Sequence, residues 1–71
     1  MNSIPELIDA FGGTSAFARA IGKGQSTASE MKRQNSIRVR HWPKVIRAAK
    51  DRGIKGVTAD FLMRLHASEV V

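Results

Sequence analysis

The chain has 71 residues, 12 Lys and Arg against 6 Asp and Glu for a net charge of +6, and no cysteine. That length holds one domain with a single small core, and the missing thiols exclude a disulfide framework or a thiolate metal site. No stretch approaches the roughly 18–20 consecutive apolar residues that a bilayer span needs.

Ser3 and Glu6 have capping-box spacing and Pro5 suits a first turn, so a helix is predicted from Ile4 to about Phe11. Ile4, Leu7, Ile8 and Phe11 share its apolar face, and Gly12-Gly13 stop it. Thr14 is the expected cap of a second helix, Ser15 to Ile21, with Ala16, Phe17, Ala20 and Ile21 apolar and Gly22 at its end. A third helix runs from Gln25 to about Arg33. Its apolar stripe is thin, Ala28 and Met31, which leaves most of its surface free.

Gln34 to Ser36 reads as a turn. Ile37 and Val39 then alternate with Arg38 and Arg40, the pattern of a short extended segment with both apolar side chains dipping into the core. A fourth helix, about Arg40 to Arg52, carries Pro43 in its first turn. Trp42, Val45, Ile46 and Ala49 face inward there, with Lys44, Arg47 and Lys50 outward, and Gly53 ends it. Thr58 caps a fifth helix, Ala59 to His66, whose core side is Phe61, Leu62 and Leu65. The expected fold is all-α: a compact five-helix bundle forming one domain over residues 1–71, with Ala67 to Val71 fraying or joining a partner.

The charge is concentrated. Arg19 to Lys55 contain eleven basic residues opposed by Glu30 and Asp51, a net +9 between mildly acidic ends. Such a distribution favours a polyanion bound on one surface. It does not favour a membrane surface, because the basic residues share no helix with a broad apolar face. Overlapping this region, Thr14 to Arg33 has the form of a helix-turn-helix: Ala18 where two helices cross closely, Gly22 at the turn, and Gln25-Ser26 opening the second helix.

Phe11-Gly12, Thr14/Ser15, Ala18, Ile21-Gly22 and Gln25-Ser26 together resemble the helix-turn-helix of phage Cro and repressor proteins. Ser36 to Pro43 and Val57 to Leu62 resemble the YdaS-like branch of that family, small helical phage or prophage regulators, some of them labelled antitoxins. The resemblance covers most of the chain. It implies a lambda-repressor-like fold, with the alanine admitting close helix approach, the glycine making the turn, and the Gln-Ser pair touching base edges and phosphates. Two residues depart from the pattern: Lys23 stands where an apolar residue is usual, and Glu30 falls where phosphates would repel it.

Gln25, Ser26, Ser29 and Arg33 are therefore the candidate base contacts. Gln pairs bidentately with adenine, Ser is adaptable, and Arg33 continues the exposed face of Ser29 and reads guanine or clamps phosphate. The rival role for Gln25 or Ser26 is to cap the third helix. Candidate phosphate contacts are Thr14, Ser15, Lys23, Thr27, Lys32, Arg38, Arg40 and His41, since the first helix of the motif crosses the DNA backbone. Trp42 is in register with the core. His41 and His66 lack the companions of a metal site, Gly22-Lys23-Gly24 is a turn without a nucleotide fold, and no nucleophile-base set is visible.

The expectation is a non-enzymatic, cofactor-free regulator of transcription. The resemblance implies a repressor of phage or prophage type, expected to bind double-stranded DNA as a homodimer through apolar residues near its end (Phe61, Leu65, Val70, Val71). An early Glu6 and Asp9 without a basic run argue against a signal peptide, so a cytoplasmic, nucleoid-associated protein is expected. Two rivals remain open: a DNA-binding antitoxin with a toxin partner, and an interaction adaptor that keeps the fold without binding DNA.

Overall fold

Ser3 lies in extended backbone, and its hydroxyl accepts from the Glu6 N–H at 3.3 Å, so the chain enters its first helix at Ile4. A computed structural model describes residues 2–67. Five helices follow in order: α1 (Ile4–Ala10), α2 (Thr14–Ile21), α3 (Gln25–Gln34), α4 (Trp42–Asp51) and α5 (Ala59–Ala67). A single 3-10 turn, Val39–His41, leads into α4, and the described residues form no strand. They occupy a body of 31 × 24 × 20 Å.

Local chemistry sets the helix ends. At Gly22 (φ 72°) the chain turns left-handed, the Lys23 N–H donates to the Ala18 carbonyl at 2.9 Å, and the Gly22 N–H donates to Arg19. This closure satisfies carbonyls that α2 would otherwise leave open, and it spares a side chain the strain of positive φ. The same pair of bonds closes α1 at Gly12 and α4 at Gly53. It closes α3 at Asn35, the one non-glycine residue at positive φ among those described. Thr58 caps α5 as its spacing predicts, accepting from the Phe61 N–H at 3.1 Å.

The core is built from Ile4, Leu7 and Ile8 of α1, Phe17, Ala18 and Ile21 of α2, Ala28 and Met31 of α3, Val45 and Ala49 of α4, and Leu62 of α5, with Ile37 and Val57 from the connections. Phe11 meets Phe17 edge-on, with centroids 5.0 Å apart and planes at 76°, the arrangement that aromatic quadrupoles favour. α2 packs on α1, α3 and α4, which makes it the centre of the bundle. Small Ala18 and Ala28 are both buried, so α2 and α3 lie together without bulky side chains at those positions.

Several details differ from the pattern reading. Gly13, not Thr14, precedes the first turn of α2, because two consecutive positive-φ glycines bring the chain into the helix one residue early. Phe11 is the C-cap of α1 and Gln34 belongs to α3. The extended segment after Ser36 is short. Ile37 is buried, but the 3-10 turn starts at Val39, breaks the alternation and leaves that valine 67 % exposed. α4 therefore begins at Trp42 rather than Arg40. Ala48 joins its inward side, while Trp42 and Ile46 are half-buried. Of the tail expected to fray or join a partner, Ala67 is the last residue of α5, and residues 68–71 lie outside the described residues.

Candidate nucleic-acid interface

At about 100° per residue, burial of Ala28 and Met31 fixes how α3 is rotated. Ser26, Ser29 and Arg33 then fall on the outward face, and all three are exposed. Gln25, also exposed, lies on the flank nearer α1, as does Lys32, whose Nζ is 3.4 Å from Asp9 Oδ1. Thr27 and Gln34 lie on the opposite flank, toward residues 36–41. Gly24 is the N-cap of α3 and no side chain caps the helix, so neither Gln25 nor Ser26 takes the capping role. Their side chains stand beside first-turn amides, at the positive end of the helix.

A groove of about 640 Å³ runs between α3 and residues 36–41. Ser26, Thr27, Glu30 and Gln34 line one side, and Ser36, Arg38, Arg40 and His41 the other. Thr14 and Ser15, at the start of α2, stand outside it, the first half-buried and the second exposed. The outward face of α3 and the basic 3-10 turn therefore form one continuous surface, while the α2 pair is separate from it.

Glu30 is the residue that fits least with an anionic ligand, and its charge is already engaged. Its carboxylate accepts from Arg33 and from Gln34 Nε2. The bond from Arg33 holds the carboxyl below its usual range, while Glu30 in turn raises the Arg33 guanidinium. An Arg33 that reads a base has first to leave this pair or share it.

His41 departs from the expectation of an open phosphate contact: it is only 8 % exposed. Burial pushes its imidazole below the usual range, and the nearby charges of Arg40, Lys23, Lys44 and Arg38 push it the same way. The ring sits amid four cations, and both its burial and those charges disfavour its protonated form. Lys23, out of place as the residue after a turn glycine, belongs to this positive cluster.

His66 carries a role that pattern reading missed. Its Nε2 accepts from the Ile37 N–H at 2.9 Å, so Nδ1 holds the proton and donates to the Leu62 carbonyl at 2.6 Å. Trp42 Nε1 donates to the Ile37 carbonyl at 2.8 Å, and the two rings lie 5.5 Å apart. α5 thereby fixes the strand of chain that presents Arg38 and Arg40. Only the i, i+4 spacing from Leu62 to His66 hints at this in the sequence. At the C-cap of α3, Asn35 Oδ1 accepts from the Ile4 N–H at 2.9 Å.

Phe61 and Leu65, offered as dimer residues, pack partly buried against the core, and Val70 and Val71 lie outside the described residues. Exposed apolar surface falls instead at Val39 and Met63, beside a second groove of about 430 Å³ that also takes in Trp42 and His66. Among the described residues no group of His, Asp and Glu gathers into a metal set, and no helix is long and apolar enough to cross a membrane. No family model, curated protein or solved structure matches the chain.

Proposed function

We propose that the protein is a sequence-specific DNA-binding regulator of transcription, a repressor of phage or prophage type, in which α2 and α3 act as a helix-turn-helix of the Cro-like kind. One observation carries the reading: α3 keeps only Ala28 and Met31 for the core and turns Ser26, Ser29 and Arg33 outward beside a basic groove. At 1.5 Å per residue its ten residues span about 15 Å, and a helix with its side chains fits the roughly 12 Å width of the major groove.

In this mechanism Gln25, Ser26, Ser29 and Arg33 read base edges. Arg38 and Arg40 hold phosphates on one side and Lys32 on the other, with Thr14 and Ser15 adding contacts from α2. One such helix reads only a few base pairs, so a homodimer on half-sites about 34 Å apart, or a multiple of that, completes the operator. Bound there in the cytoplasm, the dimer represses by occluding polymerase.

Selection of binding sites from random duplexes tests this, with wild type, Gln25→Ala and Lys55→Ala compared. Gln25→Ala relaxes preference at one position at a cost of about 1–3 kcal/mol, while Lys55→Ala keeps the preferred sequence. Affinity falls steeply with salt, by about 0.9 in log–log slope for each phosphate contact. Absence of binding to every duplex, or binding indifferent to salt, overturns the reading.

A further inference from the structure

His41 is withdrawn from solvent, yet it is not locked. Among the described residues no hydrogen bond holds its ring, and no buried side-chain nitrogen is left without a partner, so the imidazole nitrogens keep contact with the groove. His66 differs, since both its nitrogens are engaged within the protein. The charged groups facing His41 are Lys23 from the α2–α3 turn, Arg38 and Arg40 from its own segment, Lys44 from α4, and Glu30 from the α3 side of the groove. Glu30 is occupied by Arg33 and Gln34, which leaves the cations dominant.

We infer that the groove between α3 and residues 36–41 is a proton-linked phosphate site: a phosphate of the bound duplex seats between Arg38 and Arg40, and the His41 ring takes up a proton from solvent as it does so. The inference rests on the DNA-binding reading and adds its regulation by pH. In the free protein the surrounding cations oppose a further positive charge on the ring. A phosphate reverses that balance, because it offsets the two guanidiniums and presents an oxygen to which an imidazolium N–H donates. Binding that takes up a proton strengthens as pH falls, by up to tenfold in affinity per pH unit between the free and bound pKa of the ring.

The test measures affinity for a fluorescein-labelled duplex recovered by the selection, at constant ionic strength from about pH 5.5 to 8, across the ordinary imidazole range. Wild type and His41→Gln are compared, both of which retain His66. The expected result is a negative slope of log affinity against pH for wild type that His41→Gln loses. Proton NMR titration of the His41 ring in wild type, with and without duplex, decides independently should the variant fail to fold; the expected outcome is a pKa raised by the duplex. Binding with equal slopes for the two proteins, or a ring pKa that the duplex leaves unchanged or lowers, overturns the proton linkage alone. Absence of wild-type binding at every pH removes the DNA-binding reading and this inference with it.

Discussion

Replacing Asn35 separates what stops α3 from what ties it to α1. Asn35 sits at φ 52°, ψ 43°, and its side chain also accepts the Ile4 N–H. Asn35→Gly keeps the backbone conformation and removes the amide. The bond is part-buried, and its loss costs about 1 kcal/mol. Asn35→Ala loses the same bond and forces a β-carbon into the left-handed region, which adds about 1–2 kcal/mol. A chain of this length has about 4–10 kcal/mol of stability in all, so the alanine variant gives up a large share. Thermal unfolding followed by circular dichroism reads the difference, at about 4–8 °C per kcal/mol for so small a domain. An alanine variant as stable as the glycine variant refutes the backbone argument, and a glycine variant as stable as wild type refutes the tie.

Three further outcomes are expected. Phe17 is fully buried against Phe11, so Phe17→Ala costs about 3–5 kcal/mol, visible as a collapse of the urea midpoint; a loss below 1 kcal/mol would show that α2 is not the centre of the core. His66→Ala strands the Ile37 N–H and costs about 1–3 kcal/mol. Trp42 fluorescence reports the accompanying change beside its ring, and an unaltered spectrum and midpoint would contradict the clamp. Because folding lowers the His41 pKa from its ordinary value, the unfolded chain takes up that proton first. This contribution to stability is therefore complete above about pH 6.5 and declines as pH falls toward the folded value. Urea midpoints at about pH 5 and pH 7 should diverge more for wild type than for His41→Gln, and an identical pH response in the two would exclude His41 as the source.

The helices were legible because their signals are local. Ser3, Thr58 and the glycines at 12, 22 and 53 act within one turn of where they stand, and the apolar spacing picked out every large buried side chain of α1 and α2. Val39 misled because apolar alternation marks a strand only while the backbone stays extended, and the 3-10 turn changes the period at that residue. The burial of His41 was not legible either: a histidine in a basic run carries no sign that folding will withdraw it into the groove beside α3. His66, Asn35 and Arg52, whose Nη1 donates to the Phe11 carbonyl at 3.3 Å, have partners 29 to 41 residues away. No pattern along the chain announces such partners. The outward face of α3 lay between these extremes, since two buried residues suffice to fix its rotation.

The contrast between local stops and distant ties carries over to the order of assembly. Each left-handed closure spans only a few residues and can form in a nascent helix before any core exists. The bonds from Ile4 to Asn35 and from Ile37 to His66 close loops of about thirty residues, and they become favourable only once that loop entropy has been spent. They therefore belong to the late, downhill side of the folding barrier. Loss of either tie should leave the folding limb of a chevron almost unmoved and steepen the rate of escape from the native state. The segment bearing Arg38 and Arg40 would be the last part of the molecule to gain its final shape, and the first to lose it.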